Sequence, residues 1–429
     1  LLDSCREYGD VVRYAVPGNL AYFINHPDAV QRVLQMNHRN YSKDTFQYNV
    51  LARITGQGLL TNTGEDWLEK RRIAQPAFSP RALEGIIPIV IRSAEGMLDR
   101  WERDLANQEI LDIDREMMQC ALDVVARALF GADLSDQAYR LTGAVMEALD
   151  YLIFQTQTLM MVPRWLPIRQ NRQYREAMET IEGVVNALID RRSRENPGRD
   201  FLGMLLGARD DSGAPVLSRE AVRDEVVTLL IAGHETVASS LTWSWYLLAQ
   251  HPAARKKLQA EAQTLLGACS MDSSPPSAEL LSSLVFTQQV FEEALRLFPP
   301  AWLITRRAVG DDVVGGYPVP AGTLMIISPY TMHRREDLWP DPETFDPGRF
   351  DPESGKKRHR FAFIPFGGGP RLCIGNRFAM IEAKLILALV ARRYALLLDP
   401  HQEVLVEALV TLRPKGGLPM RVLPVDGPV

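Results

Sequence analysis

The chain has 429 residues, 48 Lys and Arg against 53 Asp and Glu, and a formal net charge of −5. That mildly acidic balance argues against a nucleic-acid partner. Ordinary apolar content without repeats or low-complexity linkers predicts a single domain over residues 1–429 with no fused reductase. The cysteines Cys5, Cys120, Cys269 and Cys373 are scattered and form no Cys-x-x-Cys pair, which suits a reducing cytoplasm rather than zinc or a disulfide framework. No run of about 18 apolar residues predicts a membrane span. The chain starts at Leu1 rather than Met, which leaves its natural N-terminus open.

In chain order, short alternating runs at 11–15 and 21–24 read as paired strands. Helical periodicity follows near 27–36, 65–74, 82–107, 115–129, 136–150 and 172–194. The stretch 208–215 reads as a loop. Residues 218–250 then form a long predicted helix, capped by Ser218 and stopped before Pro252. It is apolar nearly all round from Val226 to Leu248, so it belongs in the middle of a large protein. Helices near 252–266, 287–297 and 376–393 complete the set. Strand signals lie at 313–319 with 324–327 and at 404–412 with 419–422. The fold class expected is mainly α, with small peripheral sheets.

Inside the long helix sits Ala232-Gly233-His234-Glu235-Thr236. Gly233 weakens the helix and Thr236 competes for backbone carbonyls, so a local opening is expected there. Glu235 and Thr236 are an acid and an alcohol, suited to relaying protons; the plain alternative is a kink with a satisfied polar pair. Glu293 and Arg296 share one helix face, and Arg349, from Pro347-Gly-Arg349-Phe350, can complete an ion network with a structural role. Trp67 and Arg71 lie one helical turn apart, Arg306 follows a Pro-Pro turn, and Arg371 precedes a cysteine. Buried carboxylates need such charge-assisted donors. No histidine spacing suits a metal, so His234 is read as a helix residue near a cofactor face.

The run Phe366-Gly-Gly-Gly-Pro-Arg371-Leu-Cys373-Ile-Gly375 is the most informative stretch. Its glycines let the backbone approach closely and take positive φ. A helix starts just beyond, and a helix N-terminus favours a thiolate. This is a design for holding one thiolate against a large flat cofactor such as haem; the alternative is a glycine-rich turn around a structural cysteine.

Together these motifs resemble the cytochrome P450 family, the haem-thiolate monooxygenases, over essentially the whole chain and in family order. The resemblance implies haem b, with Cys373 as iron ligand. It implies cofactor contacts from Trp67, Arg71, Ala232, Gly233, Arg306, Phe366, Arg371 and Gly375. Glu235 and Thr236 would be the oxygen-activation pair, and Glu293, Arg296 and Arg349 the structural triad. Several segments look similar to bacterial carotenoid-ring hydroxylases, although the chain is longer near 270–279. The expected reaction is hydroxylation of a hydrophobic substrate, β-carotene first, with a fatty acid or terpenoid as alternative. A haem-thiolate isomerase, dehydratase or peroxygenase and a non-catalytic haem sensor are rival readings. Expected partners are O2 and a ferredoxin or flavodoxin-type electron donor with its NAD(P)H reductase. The donor is expected to dock on basic residues 356–360 and 70–72. The expected location is cytoplasmic, peripheral to membrane when collecting lipophilic substrate. The apolar pocket is expected to be lined by Phe46, Tyr48, Leu51, Thr228, Ile231, Trp302, Leu303, Ile304, Val410 and Thr411.

Overall fold

A computed structural model describes residues 1–16, 19–105, 110–158, 162–195, 198, 200–266, 278–355 and 358–425. Cys269, Lys356, Lys357 and most of the 270–279 segment lie outside the described residues. Two compact units emerge: residues 1–49 with 288–376, and residues 50–287 with 377–429.

The first unit is built on a five-stranded sheet, in the spatial order Val11–Val16, Asn19–Ile24, Leu324–Ile327, Ile304–Ala308 and Tyr41–Ser42. Pairing is antiparallel except between Asn19–Ile24 and Leu324–Ile327, where Ala21 faces Leu324 and Ile24 faces Ile327 in parallel. The expected pairing of 313–319 with 324–327 is not formed. Asp312–Val314 and Tyr317–Val319 close a hairpin on each other instead, because Gly315 and Gly316 supply the positive φ angles of a tight turn. Leu324–Ile327 becomes an inner strand, as its Leu-Met-Ile-Ile run suits. Tyr22, Ile24, Val33, Leu34, Met325, Ile327 and Phe361 pack as one core on this sheet. Helix Pro27–Gln31 runs into a π-helical turn, Arg32–Met36, within the expected 27–36.

The second unit is mostly helical. Its axis is Arg219–Gln250, 32 residues long, with the Ser218 hydroxyl accepting from the Ala221 N–H at 3.1 Å. It packs along Ile113–Phe130, while Ala138–Gln157 packs on Arg169–Arg194. The expected helix 82–107 is two helices, Pro80–Glu84 and Ile87–Asp104; Pro88 in the second helix's first turn suits a new start. The strands expected to pair across 404–412 and 419–422 also part company. Val406–Ala408 pairs with Leu412–Pro414, and Pro419–Pro424 lies between Ile110–Asp112 and Tyr394–Leu397. Gly416 and Gly417, both at positive φ, turn the chain between them. Among the described residues no helix is long and apolar enough to cross a membrane.

Candidate active site

In the first unit, residues 366–373 form a closed loop. The Cys373 N–H donates to the Phe366 carbonyl at 3.0 Å and the Gly367 N–H to Ile364 at 3.0 Å. Gly367 (φ 73°) and Gly369 (φ 66°) take backbone angles that side-chain-bearing residues rarely adopt. Gly369 has a second reason to be glycine: a Cβ there would lie 1.9 Å from the Leu34 carbonyl oxygen. The loop is thus pressed onto the π-helical turn Arg32–Met36. Its outcome is an exposed Cys373 thiol, with Phe366, Arg371 and Gly375 half-buried beside it in sequence. Helix Asn376–Arg393 starts three residues on. Among the described residues no three His, Cys, Asp or Glu side chains gather to hold a metal. The donor chemistry is that of one thiolate, which suits haem iron rather than a multi-ligand ion.

Arg306 is buried in the same unit. Its Nη1 donates to the Thr305 carbonyl at 2.8 Å and the Tyr48 hydroxyl at 3.3 Å. Among the described residues none of its partners is a carboxylate. A buried guanidinium without an anionic partner fits a propionate. Tyr48, expected in the pocket wall, lies under this guanidinium and under the Lys43 ammonium, 4.6 Å from the ring centroid. Ile304 is buried, while Trp302 and Leu303 are half-buried. Phe46, expected beside them, is half exposed.

The structure brings Glu293, Arg296 and Arg349 together. Arg296 binds Glu293 through two bonds, at 2.7 and 2.8 Å. It also donates to the carbonyls of His333, Pro342 and Thr344. Arg349 Nε lies 3.5 Å from Glu293, and the Asp346 N–H donates to the same carboxylate at 2.9 Å. His333 takes the Ile364 N–H on Nε2 at 2.9 Å and so donates from Nδ1 to the Arg296 carbonyl at 3.2 Å. Ile364 begins the turn that leads into the cysteine loop, so this buried network fixes the loop's approach. Burial beside Arg296 pushes the His333 pKa down to about 3, which keeps that acceptor neutral.

In the second unit, the long helix is buried from Asp224 to Trp245 except at Ala232, Gly233 and Thr236. Spacings of one, three and four put these on one helix face, a small window on an otherwise covered rod. The expected opening is absent: the helix runs unbroken through it. Thr236 Oγ1 donates to the Ala232 carbonyl at 2.7 Å, a bond that an intact turn accommodates. Gly233 serves packing instead, since a Cβ there would lie 2.9 Å from Val125 Cγ2. His234 is fully buried off the window, and its Nδ1 donates to the Leu230 carbonyl.

Glu235 is also buried, and it accepts from the Thr411 hydroxyl at 2.8 Å. Burial raises its pKa to about 7, against the opposing pull of the Thr411 bond and Arg413. The sequence reading put Thr411 in a pocket wall and missed this contact; 176 residues separate the two, and no local signal links them. Val410 is half-buried.

Trp67 and Arg71 occupy one face of helix Gly64–Ala74, both half-buried. Lys70 on the same helix was expected on an open basic face. It is buried, bonded to the Gln57 carbonyl and 3.7 Å from Glu225. It helps hold the loop after helix Phe46–Thr55: the Gln57 N–H donates to Asp224 at 2.7 Å and the Leu59 N–H to Glu225 at 3.1 Å. Gly58 lets that loop reach the helix, since a Cβ there would lie 2.0 Å from Thr228 Oγ1. Thr228 is thus covered, and Ile231 and Leu51 are buried too. In the other basic run, Arg358 is half-buried, stacks over Trp339 at 3.9 Å and donates to the Arg349 carbonyl, while Arg360 and, on the Gly64–Ala74 helix, Arg72 are exposed.

The family model for cytochrome P450 matches residues 3–418. The chain is 34% identical over 437 residues to cyclooctatin synthase of Streptomyces melanosporofaciens, covering 99% of this chain and 90% of that one. It is 32% identical over 415 residues to pentalenene oxygenase of Streptomyces avermitilis, covering 96% and 89%. It is 33% identical over 437 residues to human cytochrome P450 4F2, covering 94% and 80%. A thiol raised on a glycine loop, a Glu293–Arg296–Arg349 network tied to the turn that leads into it, and a small-residue window on the helix that carries Glu235 thus occur in a chain that matches this family nearly end to end: the protein belongs to the cytochrome P450 family and is a haem b monooxygenase.

Proposed function

We propose that the enzyme hydroxylates a C–H bond of an apolar terpene-class hydrocarbon. The observation that carries this reading is the Ala232, Gly233 and Thr236 window, which offers small apolar surface and one hydroxyl but no ionisable group to grip a charged substrate. Two relatives support it: one is by name an oxygenase of pentalenene, a terpene hydrocarbon, and one is cyclooctatin synthase. Neither name points to a carotenoid. The proposal takes residues 1–429 as one haem domain, located in the cytoplasm and peripheral to membrane when it collects substrate. Its electrons come from a ferredoxin or flavodoxin-type protein with an NAD(P)H reductase.

In this reading Cys373 would hold the haem iron through its thiolate, with the closed 366–373 loop fixing the sulfur. Arg306 holds a propionate from its buried position, and Trp67, Arg71 and Arg371 are the further propionate partners. Haem with a thiolate ligand supplies the electron-rich iron chemistry that favours O–O cleavage. Thr236 offers a hydroxyl at the window, and Glu235, neutral over much of its range because burial raises its pKa to about 7, is the stored proton. Buried apolar neighbours along the helix exclude water.

The test is reconstitution with a surrogate ferredoxin and reductase, NADPH, and a panel of cyclic terpene hydrocarbons, long-chain fatty acids and β-carotene. The expected result is a substrate-induced Soret shift and a hydroxylated product from a terpene. Product from fatty acids or β-carotene alone overturns the substrate class.

A further inference from the structure

Glu235 has to be reprotonated after each proton it gives if it is the proton donor, yet it is only 3% exposed. Thr236 does not touch it, since that hydroxyl is committed to the Ala232 carbonyl at 2.7 Å. The hydroxyl that does touch it is Thr411, at 2.8 Å.

Thr411 is held firmly. The next carbonyl along, that of Leu412, accepts from Ser239 Oγ at 2.6 Å and from Trp243 Nε1 at 3.0 Å. Both donors lie on the long helix, so the hairpin Val406–Ala408 and Leu412–Pro414 is bolted to the rod that carries Glu235. Two residues either side of Thr411, Leu409 and Arg413 line an open cleft of about 700 Å3, with Asp114, Asp150, Glu147 and Glu407 on its other walls. Arg413 pairs with Asp114, and Thr242 Oγ1 donates to Asp114 at 3.2 Å. The charged groups acting on Glu235 from the packed elements are those same residues: Arg413 on the hairpin, Asp114 on Ile113–Phe130 and Asp150 on Ala138–Gln157.

We propose that Thr411 is a positioning residue for proton delivery, whose hydroxyl couples Glu235 to solvent in this cleft. A hydroxyl both donates and accepts, so it can pass a proton without gaining charge. When Glu235 has given up its proton, Thr411 Oγ1 donates its own to Glu235 Oε1 and takes one from solvent on the Leu409 and Arg413 side. One proton moves from solvent to the carboxyl, and the hydroxyl is restored. The inference rests on the assignment of Glu235 as proton donor.

The test compares Thr411→Val, which keeps the shape and removes the hydroxyl, with Thr411→Ser, which keeps the hydroxyl. The first readout needs no turnover: infrared titration of the Glu235 carboxyl stretch, assigned by its loss in Glu235→Gln. The Thr411 bond favours the carboxylate, so Thr411→Val should move the midpoint up from about 7 while Thr411→Ser leaves it in place. The second readout is product formed per NADPH and its solvent isotope effect. Thr411→Val should lower coupling by at least about 10-fold and enlarge the isotope effect, at the low end of what a positioned proton group contributes. A Thr411→Val protein with wild-type midpoint or wild-type coupling overturns the proposal, as does a Ser variant as impaired as the Val variant. Failure of every substrate in the wild type counts against the function reading instead, and the carboxyl titration then decides the Thr411 contact by itself.

Discussion

Arg296 grips Glu293 with two guanidinium nitrogens, at 2.7 and 2.8 Å, and neither side chain has measurable exposure. Because the pair also ties down the His333, Pro342 and Thr344 carbonyls, removing one partner strands a buried charge and several acceptors. Arg296→Met should therefore cost about 3–5 kcal/mol and release bound haem, read by denaturant unfolding and haem content. Full haem retention with unchanged stability would mean the network does not support the cysteine loop.

The two left-handed glycines of that loop should differ. Gly369→Ala meets the Leu34 carbonyl at 1.9 Å, a backbone atom that cannot swing away, whereas a Cβ at Gly367 has nothing nearer than Ile304 Cδ1 at 4.0 Å. Both pay roughly 1–2 kcal/mol for an alanine at positive φ, and only Gly369→Ala also has to displace the Arg32–Met36 turn. Haem content should fall far more in Gly369→Ala; equal losses would contradict the contact.

Gly233→Ala sets two effects against each other. Alanine gains about 1 kcal/mol of helix propensity over glycine, but its Cβ would meet Val125 Cγ2 at 2.9 Å, and overpacking costs typically 1–3 kcal/mol. The expected net is a modest loss of stability that Val125→Ala reverses. A stabilised Gly233→Ala would show that propensity wins and that glycine is there for another reason.

Two buried carboxyls give the stability a pH signature. Glu225 and Glu235 have folded pKa values raised to about 7, in both cases chiefly by burial. Their contribution is full below the ordinary carboxylate range and is lost as pH rises through about 7. Each is worth on the order of 3 kcal/mol across that window. His234, pushed down to about 4, and His333, pushed down to about 3, act oppositely: their contribution is present above the ordinary imidazole range and lost as pH falls. Glu225→Gln and Glu235→Gln should thus gain on the wild type between about pH 5 and pH 8. Parallel stability curves for wild type and variants would contradict the raised values.

The parts of this molecule that were legible in the sequence are the ones with local signals. The long helix was bounded to within a residue because Ser218 and Pro252 are local stops, and the cysteine loop carries its glycines in one run. Short helices such as Phe46–Thr55 and Phe201–Gly207 give too few turns for a period to show. Strand partners were misassigned because pairing between segments as distant as Asn19–Ile24 and Leu324–Ile327 leaves no mark in either. Lys70 reads as a surface charge within a basic run, yet it is buried beside Glu225, and Arg358 is half-buried against Trp339; the runs contain neither partner. Gly233 was read as a weak point when its neighbour Val125 is what requires it.

The central claim is that Cys373 is the thiolate that binds haem iron. The most direct measurement is the Soret spectrum of the reduced carbon-monoxide complex of the wild type and of Cys373→Ser and Cys373→His. The account predicts the strongly red-shifted band of thiolate ligation in the wild type and its loss in both variants. A variant that keeps that band, or a wild type that lacks it while retaining haem, would contradict the assignment.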